Sequence, residues 1–108
     1  MTLNIIIDNR TAEIQIPDIV MDEGHDFFDK IEADMKQGWR MGPQYVETPD
    51  QEQCIQIVAD RLLAALETGK KELSELLAGY IVHRDPSIKS IRVDLNGDPL
   101  NTEIFRSN

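Results

Sequence analysis

Near the N-terminus, apolar residues recur with a period of two. Leu3, Ile5 and Ile7 alternate with Asn4, Ile6 and Asp8, and Ile14 and Ile16 alternate with Glu13, Gln15 and Pro17. Alternation of this kind puts one face of a strand in a core and leaves the other in solvent. Residues 3–7 and 12–16 are therefore expected to form an antiparallel hairpin, with turn-forming side chains in Asp8-Asn9-Arg10-Thr11 between them. Pro17 and Asp18 end it.

The period then changes to that of a helix. Val20, Phe27, Phe28, Ile31 and Met35 share one face of a helix predicted over 21–37, with Asp22, Asp26, Asp29 and Lys36 on the other. Asp22 and Glu23 sit in the first turn, where the helix dipole favours negative charge. Gly24 weakens that turn, and Gly38 is placed to terminate the helix. Residues 38–49 carry two Gly and two Pro and read as irregular, with a short edge strand at 44–47.

A second helix has a clear start signal: Thr48 as N-cap, Pro49 at N1, and Gln51 completing a capping box. Its apolar stripe is Ile55, Val58, Ala59, Leu62, Ala65 and Leu66. Gln53, Gln56, Asp60 and Glu67 lie opposite, with Ile57 and Ala64 also on the outer face, and Gly69 stops the helix. A third helix over 70–83 buries Leu73, Leu76, Leu77, Tyr80 and Ile81 and ends at Asp85-Pro86. Ile91, Val93 and Leu95 alternate as a strand. Asn96-Gly97 is a strong hairpin dipeptide, and 100–105 would return. The order is β-β-α-(β)-α-α-β-β. The pattern predicts an α+β fold: an antiparallel sheet of four to five strands with about three helices packed on one face.

Length and charge restrict what such a fold would do. The 108 residues suit one domain spanning 1–108. Twenty acidic residues face eleven Lys and Arg, a formal charge of −9, which repels phosphate backbones and anionic lipid. Neither nucleic acid nor membrane is an expected partner; a protein partner is. The single cysteine, Cys54, permits neither an intrachain disulfide nor a cysteine-based zinc site. No basic, apolar leader precedes Asp8 and Arg10, so the cytoplasm is the expected compartment.

Among candidate sites, His25 and Asp29 are spaced i, i+4, and Asp29 and Glu32 i, i+3, so all three project from one side of the first helix. An imidazole with two carboxylates could hold zinc, iron or manganese, and a homodimer could bring two such faces together. Cys54 could act as a nucleophile with His25 or His83 as base, but it lies on the edge of a helix's apolar stripe and packing explains it without chemistry. Asp94-Leu95-Asn96-Gly97-Asp98 lacks the glycine and the final carboxylate that an EF-hand loop needs, and reads as a turn. The segment Trp39, Arg40, Met41, with Tyr45, joins the only Trp to an Arg between glycines and prolines. Trp and Arg are enriched at binding hot spots.

There is no Gly-rich phosphate loop, no G-x-S-x-G and no H-E-x-x-H. The leading expectation is a non-catalytic accessory or regulatory protein that needs no cofactor and contacts another protein through Trp39, Arg40, Met41 and Tyr45. The alternatives are a metal protein or enzyme built on His25, Asp29 and Glu32, and an acidic decoy of a nucleic-acid-binding surface.

Overall fold

The expected N-terminal hairpin forms from β1 (Thr2–Ile7) and β2 (Arg10–Gln15) in the computed structural model, which describes residues 1–107; Asn108 lies outside the described residues. Ile7 pairs with Arg10, so the turn is only Asp8-Asn9. Asp8 takes φ 60, the left-handed conformation that Asp and Asn tolerate and a tight hairpin requires.

The helix expected over 21–37 is two helices, α1 (Asp18–Glu23) and α2 (His25–Lys36). Gly24 is the joint. Its N–H donates to the Val20 carbonyl at 2.8 Å, and its own carbonyl accepts from the Phe28 N–H at 3.0 Å. A Cβ at position 24 would lie 2.4 Å from the Val20 oxygen and 2.8 Å from the Phe28 ring, so any other residue would push the two helices apart.

Residues 38–49 are more regular than expected. β3 (Trp39–Met41) and β4 (Gln44–Val46) form their own two-stranded sheet. Gly42 turns the chain at φ 66, and a Cβ there would meet the Gly97 carbonyl at 2.7 Å. The hairpin tip thus rests on the turn at 96–98.

α3 (Gln51–Glu67) is capped two residues later than the sequence signal implied. Asp50, not Thr48, is the N-cap. Its carboxylate accepts from the Gln53 N–H at 2.8 Å, while the Gln53 side chain accepts from the Asp50 N–H at 2.9 Å. Asp outranks Thr as an N-cap, and the Pro49 carbonyl is turned instead to the Lys36 ammonium at 2.6 Å.

α4 (Lys71–Arg84) packs against α3 and α1, and its second half is buried almost all round, from Leu77 to Val82. Gly79 is the point of closest approach: a Cβ would lie 2.7 Å from Val20 Cγ1 and 3.2 Å from the Phe28 ring.

β5 (Ile88–Arg92) and β6 (Glu103–Arg106) complete a four-stranded sheet of order β2-β1-β5-β6. The sheet is mixed, not purely antiparallel, because β1 and β5 run parallel. Each hairpin is antiparallel within itself, as its turn dictates, but the junction between hairpins is set by the helical connection, which returns the chain to the end where β1 began.

β5 sits earlier than expected and β6 later, and Asn96-Gly97 does not form a tight hairpin. β5 ends at Arg92, and residues 93–102 make a loop containing a 3-10 turn (Pro99–Asn101). The Asp94 carboxylate accepts from the N–H groups of Asn96 and Asp98 at 3.0 and 2.9 Å, and the Thr102 hydroxyl accepts from the Asp94 N–H at 3.1 Å. Leu95 is left in solvent.

This loop covers the outer face of α3. Gln56, expected in solvent, is buried and donates to the carbonyls of Leu100 and Thr102 at 3.3 and 3.1 Å. Ile57 is buried with it, whereas Ala64 stays exposed.

One apolar cluster joins Leu3, Ile5, Ile14 and Ile91 of the sheet to Phe28, Ile31 and Met35 of α2, Ile55, Val58 and Leu62 of α3, and Leu77, Tyr80 and Ile81 of α4. The helices therefore cover one sheet face. The other presents Thr11, Glu13, Gln15, Arg92 and Glu103 to solvent. No helix among the described residues is long and apolar enough to cross a membrane.

Candidate interaction surface

The β3–β4 hairpin divides the four residues expected to contact a partner. A strand directs successive side chains to opposite faces. Met41 is wholly buried, and Trp39 is half-buried against the core. Arg40 and Tyr45 pair across the two strands on the opposite face, and both are exposed, Tyr45 by 59%. The Tyr45 ring lies over Gly38, whose φ of 114 calls for glycine; a Cβ there would lie 2.0 Å from the hydroxyl oxygen. Trp39 and Met41 are thus the anchor, and Arg40 and Tyr45 the presented surface.

The three residues expected to bind metal are drawn into other contacts. Arg84, in the last turn of α4, reaches between α2 carboxylates, 3.0 Å from Glu32 and 3.5 Å from Asp29. The Tyr80 hydroxyl donates to the other Glu32 oxygen at 2.9 Å, and the Arg84 guanidinium lies 5.5 Å from the Tyr80 ring centre. His25 instead packs edge-on against His83, with ring centres 4.9 Å apart, and against Phe28 at 6.2 Å. Among the described residues, no three His, Cys, Asp or Glu side chains converge on a point that could hold a metal ion. Tyr80 and Arg84, spaced i, i+4 on α4, were the readable sign of a partner for the α2 carboxylates.

Cys54 is buried, and its thiol points at the Pro49 carbonyl, 3.8 Å away. Burial pushes the thiol up, and the Lys36 ammonium offsets part of that. Lys36, Glu32, Tyr80 and Asp50 are the groups that act on it; neither His25 nor His83 is among them. A thiol held protonated and out of solvent is a poor nucleophile, and packing accounts for this one. Burial and the Glu32 hydrogen bond likewise raise Tyr80, which stays a neutral phenol.

Asp60 is a local cost to the fold. It is half-buried on α3, and burial together with the charge of Asp94 raises its carboxyl above its ordinary value. A raised native value means that its contribution is most favourable below the unfolded value of about 3.9 and is lost as pH climbs through the native one. Asp60→Asn should therefore raise the melting temperature at pH 7, and that gain should shrink towards zero near pH ~3. Thermal melts of both proteins at the two pH values check this, and equal melting temperatures at pH 7 would refute it.

No protein-family model matches the chain, and comparison with curated proteins and with solved structures gives no match.

Proposed function

We propose that the protein is a non-catalytic accessory or regulatory protein that binds another protein through the outward face of the β3–β4 hairpin. The observation that carries this reading is the Arg40–Tyr45 pair: an exposed aromatic lying over Gly38 beside an arginine, on a small sheet separate from the main one. A tyrosine loses little side-chain entropy on binding, and tyrosines and arginines are enriched among the residues that dominate interface energetics. The α1 and α2 acids Asp18, Asp22, Glu23, Asp26 and Asp34, all exposed, lead directly into this hairpin. They would steer a partner with a basic rim towards it.

The test is affinity capture from lysate of the cells that make the protein, with wild type beside a folded Arg40→Ala, Tyr45→Ala double variant. One stoichiometric partner, retained at least tenfold less by the variant, is the expected result. Equal retention by both proteins, or no stoichiometric partner, would reject the reading.

A further inference from the structure

The outer edge of β2 is unpaired. In the antiparallel ladder the Met1–Ile16 pair exchanges backbone hydrogen bonds, so by alternation Ile14, Ala12 and Arg10 bond to β1. The backbone groups of Thr11, Glu13 and Gln15 therefore point away from the sheet, and they take no hydrogen bond from any described residue. β2 holds no proline, lysine or bulge, devices by which edge strands avoid association, and its charged side chains are Arg10 and Glu13. Beside it runs a groove of about 350 Å³ between β2 and the helices, lined by Glu13, Ile14, Gln15, Leu66, Ser74 and Glu75, with Lys71 as its one cation.

We infer that this edge pairs with β2 of a second copy of the chain, antiparallel about a two-fold axis through Ala12. Every register centred on a residue keeps core-side residues facing core-side residues, but centring on Thr11 pairs only residues 10–12 of the strand. Centring on Glu13 sets that carboxylate against its own copy, an unfavourable pair in a chain of net charge −9. Centring on Ile14 brings Thr11 opposite Pro17, which has no N–H to give. Centring on Ala12 puts the smallest side chain on the axis and lets Thr11 and Glu13 of each copy exchange backbone hydrogen bonds with Glu13 and Thr11 of the other.

That register has a second consequence. Arg10 of one copy falls opposite Ile14 of the other, on the core-side face, at the groove that holds Glu75. Arg10 is exposed, and neither it nor Glu75 has an ion-pair partner among the described residues. The contact is made twice by symmetry. A C2 interface is self-complementary in this sense, and the eight strands would form one continuous sheet. The inference is independent of the β3–β4 surface, which lies on a different sheet.

Sedimentation equilibrium of the full chain tests it, at concentrations up to roughly 1 mM. The weight-average mass should rise from 12.3 kDa towards twice that value. Glu13→Pro removes an outward N–H and leaves the β1 ladder intact, so it should stay folded and monomeric. Arg10→Glu should weaken dimerisation at least tenfold, and Arg10→Glu with Glu75→Arg should restore it; this charge exchange decides the matter if the proline variant does not fold. A wild type that stays at 12.3 kDa throughout overturns the inference, as does a folded Glu13→Pro protein that dimerises normally. A charge exchange that restores nothing overturns the register on which it rests.

Discussion

Phe28→Ala should cost about 3–5 kcal/mol of folding free energy. Phe28 is fully buried and stands at the centre of an aromatic group: His83 at 5.2 Å, His25 and Tyr80 both at 6.2 Å, and Phe27 at 6.3 Å between ring centres. The cost of such a truncation depends on how far the surroundings can close over the gap. Here they close poorly. Two of the surfaces against the ring are the glycines 24 and 79, where helix backbones approach it directly. They have no side chain that could swing into the space.

A chain of this size has about 5–15 kcal/mol in total, so the variant should melt about 15–25 °C lower. Phe28→Leu, which refills much of the volume, should lose only about 1–2 kcal/mol. Urea unfolding followed by circular dichroism measures both. A Phe28→Ala loss below about 1.5 kcal/mol would mean that α1, α2 and α4 can repack around position 28.

The same region shows what the sequence could and could not convey. The 3.6-residue period placed Phe28, Ile31 and Met35 on one buried face of α2, and all three are buried there. It could not show that Gly24 divides the helix, because the reason is the approach of Phe28 to the backbone in three dimensions. Local signals also competed: both Thr48 and Asp50 stand three residues ahead of a Gln, and the stronger cap took the helix.

The outer face of α3 was misjudged for a different reason. Gln56 and Ile57 look solvent-facing from the period of their own helix. They are buried by residues 98–102, more than forty positions further on. Parallel pairing of β1 with β5 is equally non-local, since only a turn fixes the sense of a strand pair. In the hairpin, two Gly and two Pro mask the strand period that turns Trp39 and Met41 inward and Arg40 outward. Spacing along α2 correctly put Asp29 and Glu32 on one side. What answers them is Arg84, on another helix, and no pattern within α2 could name it.

That arginine makes Glu32 the second position where one atom group decides much of the stability, and Glu32→Ala should cost about 2–4 kcal/mol. The carboxylate accepts from Tyr80 with one oxygen and from Arg84 with the other. It is only partly exposed, as is Arg84, with side chains 30% and 23% accessible. Asp29 cannot stand in for it: at 3.5 Å and 76% exposed, it is a surface ion pair of the kind that contributes little. Removing Glu32 therefore leaves a buried phenol without an acceptor and a largely covered guanidinium without its counter-charge. The Arg84 Nε already has no partner, so the loss falls on a group with nothing in reserve.

The chemistry of the replacement separates the two interactions. Glu32→Gln keeps an acceptor for Tyr80 and removes only the charge, and should cost about 1–1.5 kcal/mol. Glu32→Leu combined with Arg84→Met removes the ion pair and leaves apolar surface, while the Tyr80 hydroxyl loses its acceptor as it does in Glu32→Ala. Its cost should still be smaller than that of Glu32→Ala, because only the single variant also leaves the Arg84 charge without Glu32. Urea unfolding of the three variants gives the order directly. If the double variant proves less stable than Glu32→Ala, the pair itself stabilises the fold beyond the penalty of leaving Arg84 alone, and the packing of α2 on α4 depends on charge rather than on the apolar contacts around it.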